Sequence, residues 1–452
     1  MTNPKPSGPT NRINTAKGQA LYKRACSIIP GGTQLFSKRP ELFLPDQWPV
    51  YYKKAIGIDV WDIDDNHYLD FASVGIGTSV LGAADEEVNK AVVEAVQNGS
   101  MSTLNPPDEV ELAELMVELH PWAEQVRFAR TGGESMAVAA RIARAATGRD
   151  KIAICGYHGW ADWYLAANIG DEQKLNAHLL PGLAPNGVPE NLRGTTIPFK
   201  YNDLDEIRAV VKSAGSDLAA IVMEPHGVVA APSPGYLAEV KKLAHEAGAV
   251  LIFDEITSGW RMSTAGVHMT LGVTPDVAVF AKCISNGYPM AAIIGTRAVM
   301  EAAQVSFISS AYWTESVGPA AALATLKKHR RENVGDYLIA YGNALDKGWT
   351  AAAAEAGLSI KMFGMAPQRG FSFVHDDPNG LTTLFTQEML ARGFIAVPRV
   401  FATFAHNEEH LGLYIEAVAE VFAILATAIE QDDIRTQLNG PVKHSHFERL
   451  NN

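Results

Sequence analysis

The sequence predicts an α/β protein: a large domain built on a largely parallel sheet, and a smaller α+β domain after it. Short apolar runs alternate with helical stretches from about residue 125 onward, the pattern of strand–helix–strand units. Polar residues follow several of these runs, where parallel sheets bind their ligands. After about residue 330 the chain becomes alanine-rich and helical in period. A length of 452 residues leaves room for two to three domains.

The beginning of the chain differs from the rest. Residues 1–18 are polar, include three prolines and carry no apolar core, so we expect a disordered leader rather than a signal peptide. A helix is expected at 20–29, before a proline-glycine breaker. Alternation over 51–71, around a turn signal, predicts a small antiparallel meander. Helical periodicity follows at 86–96 and 110–119.

The predicted large domain contains six apolar, strand-like runs. These runs are 126–129, 152–155, 219–223, 250–253, 277–281 and 291–294. The clearest helices between them are 136–146, 203–211 and 237–247. Residues 164–192 break the rhythm with frequent glycine, proline and asparagine. A loop this long is usually a lid or disordered.

The C-terminal third predicts helices joined by short strands. The helices are expected at 337–356, 381–392 and 409–430, and the strands at 360–363 and 371–374. We therefore divide the chain into a leader (1–18), an N-terminal segment joining the small domain (19–75), a large domain (76–330) and a C-terminal small domain (331–452).

Composition excludes several classes of function. The net charge of −12, without a basic stripe, makes a nucleic-acid partner unlikely on physical grounds. The three cysteines, Cys26, Cys155 and Cys283, are too scattered for a disulfide framework or a structural metal site, and a cytoplasmic location is the default. We find no apolar run near the roughly 20 residues that span a bilayer, and we expect no membrane partner and no metal.

A lysine at a strand end is the central candidate. Lys282 ends the apolar run 277–281 and precedes a polar, glycine-containing turn. An amine held among apolar neighbours has a lowered pKa and can act as a Schiff-base nucleophile. Taken alone, however, a strand-end lysine is most often a surface amine.

Two other strand ends carry candidate binding groups. Thr131, Gly132 and Gly133 follow one strand and open a helix, whose N-terminus attracts phosphate; a plain helix cap is the alternative. Tyr157 follows the next strand, beside His158, and could stack on a flat ring or simply pack.

An acid pair gives the sharpest signal. Apolar residues drive Asp254 and Glu255 to a strand end, where a buried acid needs a partner such as a protonated ring nitrogen; a turn cap is the alternative. An anion cradle, an acid and an amine match the phosphate, pyridinium and aldehyde of pyridoxal phosphate (PLP). No dinucleotide G-x-G-x-x-G follows an early strand, and no P-loop motif occurs.

With these motifs the chain resembles the class III, fold-type-I PLP enzymes, and most closely their glutamate-1-semialdehyde aminomutase-like branch. The resemblance runs from about residue 20 to 430 and implies a mainly parallel seven-stranded sheet. The spacing from Asp254 to Lys282 matches the family's register. The matching motifs are Ile29-Pro30-Gly31-Gly32, Trp61-Asp62-Ile63-Asp64, Asp70-Phe71, Tyr157-His158-Gly159, Glu224-Pro225, the run from Asp254 to Arg261, Lys282 and Thr314-Glu315-Ser316.

The resemblance implies a role for each matching residue. Lys282 binds the cofactor aldehyde and then moves a proton at the substrate carbon, while Asp254 holds the ring nitrogen protonated. Ring packing is implied for Ile256 on one face and Tyr157 on the other. The remaining implied cofactor contacts are Thr131, Gly132, Gly133, His158, Glu224 and, from the partner subunit of a homodimer, Thr314.

The chain departs from the family at the substrate end. The family usually has Ser-Gly-Thr at the cradle, where this chain has Thr131-Gly132-Gly133, and the aminomutase's asparagine after Glu-Pro is missing. His226 follows Glu-Pro instead and contacts the ring hydroxyl or packs. Lys38 stands at the place of a substrate-binding arginine, but a lysine cannot bind a carboxylate through two parallel bonds. Either Arg39, next to it, takes that role, or neither residue does.

Further substrate-binding candidates are weaker. Arg399 could clamp a carboxylate, although a surface or structural ion pair is the alternative. Several aromatic residues could line an apolar pocket or pack in the core. These are Trp160, Trp163, Tyr312 and Trp313.

The first expectation for function is a PLP-dependent aminotransferase with ping-pong chemistry, moving an amino group from an amino acid or amine donor to a carbonyl acceptor. The alternative is an intramolecular aminomutase of the glutamate-1-semialdehyde type. The altered residues at the substrate end disfavour that alternative. A binding protein without turnover would need neither Lys282 nor Asp254.

Overall fold

A computed structural model describes residues 13–178, 181–227 and 230–446. These residues form two compact units. The large unit contains residues 78–80 and 85–336, and the small unit contains residues up to 77, 81–84 and those from 337 on. Most of the predicted leader lies outside the described residues. The first helix begins at Ala16, inside the range predicted for the leader.

The strands follow the predicted runs closely. In chain order they are β1 Tyr52–Ile56, β2 Asp59–Asp62, β3 His67–Phe71, β4 Gln125–Ala129, β5 Lys151–Cys155, β6 Thr196–Pro198, β7 Leu218–Met223, β8 Val250–Asp254, β9 Val277–Phe280, β10 Ala291–Gly295, β11 Ile360–Phe363, β12 Gly370–Phe373 and β13 Phe394–Ala396.

At most of their ends, the helices reach one to four residues beyond the predicted stretches. They are α1 Ala16–Ile28, α2 Val74–Gly77, α3 Glu86–Gln97, α4 Asp108–Leu119, α5 Gly132–Thr147, α6 Asp162–Leu165, α7 Leu204–Ala214, α8 Tyr236–Glu246, α9 His268–Leu271, α10 Arg297–Met300, α11 Val317–Arg331, α12 Val334–Ala356, α13 Pro378–Ala391 and α14 Glu408–Glu430.

The large unit is built on a seven-stranded sheet in the order β4-β10-β9-β8-β7-β5-β6. The five strands β6, β5, β7, β8 and β9 are parallel neighbours. Only β10 runs against its neighbours, so the predicted, mainly parallel α/β sheet is confirmed. Strand β6 was not among the predicted runs because it has three residues and includes a proline.

Both faces of this sheet are covered, which explains why its strands read as continuous apolar runs. All six residues of β7 are buried. Its Ala220 and Val222 pack in one cluster with Met136 and Ile142 of α5. The β7 residues on the opposite face of the sheet pack in a second cluster with residues of α7 and α8.

The small unit confirms the predicted antiparallel meander. Strand β1 pairs with β2, and β2 pairs with β3. Strand β13, far along the chain, then adds parallel to β3, with Ile395 opposite Asp70. A separate hairpin joins β11 and β12.

One expectation about membranes is wrong as stated. By length and composition alone, α14 is apolar enough to cross a bilayer, with a mean hydropathy of 1.8 over its most apolar window. Core helices of soluble proteins pass the same test. In the small unit Tyr414 of this helix stacks on Phe71 at 4.1 Å, and its Phe422 ring lies 5.6 Å from Phe371.

The expectation of a lid over 164–192 is also wrong for its first part. Tyr164, Ala167 and Leu175 are fully or almost fully buried in the core cluster that contains α5. The hydroxyl of Tyr164 donates to the carbonyl of Gly156 at 3.0 Å. This stretch is therefore part of the core. Residues 179–180 of the same segment lie outside the described residues.

Candidate active site

The candidate site lies where the parallel strands of the large sheet end. We call this the carboxyl edge and define it by residues 130–133, 156–160, 224, 254–261 and 280–285. Parallel neighbours end on the same side, so residues far apart in sequence meet there. Directly paired strands β8 and β9 bring the acid of Asp254 and the amine of Lys282 to this edge.

Lys282 begins a short 3-10 turn after β9, with a left-handed φ of 48°. Its Nζ donates to Thr257 Oγ1 at 2.7 Å. Burial lowers the pKa of Lys282 below the ordinary 10.5, and the positive charge of Arg261 lowers it further. The charges of Asp254 and Glu224 act in the opposite direction. A residue with lowered pKa at such an edge is suited to nucleophilic chemistry.

Asp254 is almost fully buried and has a polar partner at each carboxyl oxygen. Its Oδ1 accepts the backbone N–H of Ile256 at 3.0 Å, and its Oδ2 lies 2.8 Å from Nδ1 of His158. The other ring nitrogen of His158 faces the carbonyl of Cys155 at 3.1 Å. His158 therefore fixes the acid of Asp254 in place.

The predicted phosphate cradle lies at the N-terminus of α5. A Cβ added to Gly132 would lie 2.9 Å from Cδ1 of Ile256, and one added to Gly159 would lie 2.8 Å from Cα of Gly133. Glu134 accepts the backbone N–H of Arg130 at 3.0 Å, which fixes the turn into the helix. Gly159 therefore has no room for a side chain because the backbone of Gly133 lies against it, and a side chain at Gly132 would require Ile256 to move.

Glu224 and Tyr157 also lie at the carboxyl edge. A Cβ on Gly156, which has a left-handed φ of 115°, would lie 3.2 Å from Oε2 of Glu224. Tyr157 is 41% exposed, and its ring meets that of Tyr164 edge-on at 5.9 Å. His226 has its Nδ1 2.9 Å from the carbonyl of Gly227.

Thr314 lies on a separate, exposed segment of the large unit. Its hydroxyl donates to the carbonyl of Ala311 at 2.9 Å. Arg130, which directly precedes the cradle, holds this segment through an ion pair with Glu315 at 2.7 Å and a bond to the carbonyl of Trp313 at 3.1 Å. The cradle and the Thr314 segment are thus tied together within one chain.

The aromatic candidates separate into two groups. Trp163 is buried in the core, so for this residue packing is the correct alternative. Trp313 also packs against that core cluster. Trp160 and Tyr312 are 75% and 72% exposed. Indole atoms of Trp160 lie 3.4 Å from the position of a Cβ on Gly133.

The three charged substrate candidates belong to the small unit. Lys38 ends an exposed 3-10 turn. The guanidinium of Arg39 lies 5.0 Å from the centre of the Phe36 ring, and that of Arg399 lies 4.7 Å from the centre of the Phe401 ring. Both arginines thus pack on neighbouring aromatic faces.

Sequence reasoning missed the roles of Thr257, Arg130 and Arg261. Thr257 contacts the amine of Lys282, and Arg130 ties two segments of the site together. Arg261 is fully buried. Thr257 and Arg261 stand in the quoted motif after Asp254, but a motif does not say which neighbours a side chain meets in space.

We expect Gly132→Ala to weaken cofactor binding about tenfold or more, about 1.4 kcal/mol. The added Cβ would meet Ile256 and push the cradle and the ring-packing residue apart. The measurement is the dissociation constant of PLP, followed by absorbance. Gly412→Ala is the matched control, because Gly412 lies in α14 with open space around its Cβ position. Equal affinities in wild type and Gly132→Ala would contradict the assignment of the cradle.

Comparison with known proteins gives a consistent match. A sequence model of the family described as aminotransferase class-III matches residues 45–397. The 3-aminobutyryl-CoA aminotransferase of Cloacimonas acidaminovorans (strain Evry) is 31% identical over 425 residues, covering 91% of this chain and 98% of that protein. The glutamate-1-semialdehyde 2,1-aminomutase of Syntrophobacter fumaroxidans (strain DSM 10017 / MPOB) is 34% identical over 430 residues, covering 90% and 97%.

A solved structure matches over the same extent. The FumI protein of Sphingopyxis sp. MTA144, in its PLP internal aldimine form, superposes with a TM-score of 0.82 at 28% identity. The match covers 91% of this chain and 97% of that one.

Proposed function

The chain belongs to the class-III aminotransferase family, and we propose that its active site is the carboxyl edge around Lys282. It is a PLP-dependent transaminase, which moves an amino group from an amino acid or amine donor to a carbonyl acceptor. The exchange is ping-pong: the donor leaves as an oxo compound before the acceptor takes the amine.

The residues of the carboxyl edge fit the three functional groups of the cofactor. The first turn of α5 offers backbone N–H groups at Gly132 and Gly133 to a phosphate. Asp254 is a buried carboxylate that suits a protonated ring nitrogen. Lys282 is an amine of lowered pKa that suits an aldehyde. The single observation that carries the proposal is this acid and amine on directly paired strands.

The protein's own residues then position and move protons. Bound PLP supplies an aldehyde that condenses with amines and a ring that accepts the electron pair released at the substrate carbon. Asp254 keeps a proton on the ring nitrogen, and His158 holds Asp254 in register. The amine of Lys282, which donates a hydrogen bond to Thr257, would take the proton from the substrate carbon and deliver it to the former aldehyde carbon of the cofactor.

For the substrate, we propose an amino donor whose amino group is not on the carbon next to a carboxylate. The 31% identical relative is named for 3-aminobutyryl-CoA, in which the amine is on the third carbon. The test is a panel of α-amino acids, β-amino acids and simple amines, each scored by the yellow holoprotein losing its colour. Faster reaction with α-amino acids than with every other class would contradict the proposal.

The products of the same panel separate transferase from mutase. A transferase releases a free oxo compound from the donor and aminates an added carbonyl acceptor. The aminomutase alternative has support from the 34% identical relative, which is named for that activity. Retention of all amine in one rearranged product would establish the mutase and overturn the transferase.

We expect Arg399→Ala to raise KM for carboxylate-bearing donors about tenfold or more, and to change KM for simple amines by less than about twofold. The guanidinium of Arg399 lies 4.7 Å from the centre of the Phe401 ring, and a guanidinium can bind a carboxylate through two parallel N–H groups. Steady-state kinetics on both donor classes measure the difference. Arg435→Ala is the control, since Arg435 is exposed and paired with Asp377. Equal losses for both classes would remove the proposed role.

We also propose that the enzyme is a homodimer in the cytoplasm. Highly exposed apolar side chains of the large unit support a second copy as partner: Leu104, Val305 and Phe307 are 79%, 85% and 90% exposed. The three cysteines are free, as expected in a reducing compartment. Phe307→Asp is expected to shift sedimentation from dimer to monomer, while Tyr52→Asp, at an exposed tyrosine of the small unit, leaves it unchanged. A monomeric wild type would refute the dimer.

A further inference from the structure

Arg261 is a fully buried arginine at the carboxyl edge. It ends the turn that begins after Asp254 and also carries Thr257. Its Nε points to the carbonyl oxygen of Thr257 at 3.5 Å, while the hydroxyl of the same threonine accepts the hydrogen bond of Lys282 Nζ at 2.7 Å. Thr257 thus contacts both the guanidinium of Arg261 and the amine of Lys282.

Two cations this close in a low-dielectric interior oppose each other, so one of them loses its charge more easily. A guanidinium does not lose its proton in proteins, whereas an amine does. The conflict is therefore resolved at Lys282. The charge of Arg261 is, after burial, the strongest influence that lowers the pKa of Lys282.

Other groups face Lys282 and act against this effect. Asp254 on β8 and Glu224 after β7 favour the charged amine, as does the neighbouring Cys283 where it is ionised; burial raises the pKa of that thiol. The pKa of Lys282 is nevertheless lowered. Burial alone explains part of that lowering, and a test must separate it from the charge of Arg261.

We propose that Arg261 is a positioning residue for Lys282. The fixed positive charge of Arg261 keeps the amine of Lys282 uncharged and able to attack a carbonyl. In that attack the lone pair of Nζ forms the bond to carbon, the two N–H protons pass to the carbonyl oxygen, and that oxygen leaves as water. The inference rests on the proposed role of Lys282. The charge of the amine, however, can be measured in the apoprotein, without cofactor or turnover.

The experiment titrates Lys282 in the apoprotein by trace acetylation across about pH 6 to 11, read by peptide mass spectrometry. In wild type we expect a midpoint below 10.5. Arg261→Gln, which can still donate to the carbonyl of Thr257 but carries no charge, is expected to raise the midpoint by about one pH unit or more. Arg261→Lys, which retains a cation, is expected to stay closer to wild type.

A second readout follows the same variants. The amount of uncharged amine below the midpoint changes tenfold per pH unit, so Arg261→Gln apoprotein should form the yellow holoprotein about tenfold more slowly near neutral pH. Raising the pH should restore the rate. A purely structural defect would slow the reaction at every pH and leave the acetylation midpoint unchanged.

The matched control is Arg149→Met. Arg149 donates to the carbonyls of Leu218 and Ala247 at 3.0 and 2.6 Å, at the opposite, amino-terminal edge of the sheet. We expect this variant to lose stability without moving the Lys282 midpoint. Arg261→Met serves as a second neutral variant of different shape, in case Arg261→Gln does not fold.

Two results would overturn the inference. One is a wild-type midpoint at or above 10.5, which needs no variant. The other is the same midpoint in wild type and in a folded neutral variant. Neither result would contradict the proposed function. The proposed function is contradicted instead if the Lys282→Ala variant still catalyses the reaction.

Discussion

Replacing Lys282 by alanine is expected to abolish steady turnover, with kcat reduced by about 10³-fold or more. The substitution removes the amine that binds the cofactor and the base that moves the proton at the substrate carbon. It also removes the donor to Thr257. We expect the loss to be chemical rather than structural, since position 282 lies after the end of β9 and outside the strands of the sheet. Steady-state rates with the best donor of the panel measure it.

The control for this prediction is Lys241→Ala. Lys241 also donates to a threonine hydroxyl, that of Thr274 at 3.0 Å, but it lies on α8, away from the carboxyl edge. We expect its kcat to remain within about twofold of wild type. Undiminished turnover in Lys282→Ala would contradict the assignment of the active site to Lys282.

Asp254→Asn is expected to lower kcat by about 10²–10³-fold while the protein still folds and binds PLP. Asparagine has the shape of aspartate and can still accept the N–H of Ile256. It has no charge to keep a proton on the ring nitrogen, so the ring is a weaker electron acceptor. It also faces Nδ1 of His158 with a neutral amide. Single-turnover rates of colour loss measure the chemical step directly.

Asp276→Asn is the matched control for this loss. Asp276 accepts the backbone N–H of Leu251 at 2.7 Å, near the start of the same strand that ends in Asp254. The change removes a charge of the same kind from the opposite edge of the sheet. We expect lower thermal stability and a kcat within about twofold of wild type. If both aspartate variants lost kcat equally, the effect at Asp254 would be structural and not catalytic.

We expect the two strand-end residues to act as one unit. Asp254 would keep the bound ring able to accept electrons, and Lys282 would take the proton from the substrate carbon, so that the electron pair of the broken C–H bond passes to the ring. We therefore expect the double variant to be little worse than Lys282→Ala alone, since effects of residues that act together do not add. The proximity of β8 and β9 makes this pairing possible.

The sequence by itself determined the large sheet and its reactive edge. Strands covered on both faces, such as β7, must be apolar at every position, and such runs are visible without a structure. Where those runs stop, polar residues mark the strand ends, so Asp254 and Lys282 were identifiable in advance. The glycines at 132 and 133 were identifiable for the same reason, as small residues at a helix start.

Only the tertiary structure decided which residues meet across the edge. His158 contacts Asp254 from 96 residues away, and Thr257 contacts Lys282 from 25 residues away. No local pattern encodes such contacts, because they depend on how separate strands align side by side. Packing between distant elements also decides that Trp163 lies in the core. It likewise decides that β3, the third strand of the meander, pairs with β13. Local periodicity fixes the elements, whereas packing between distant elements fixes the charge and direction of the groups that react.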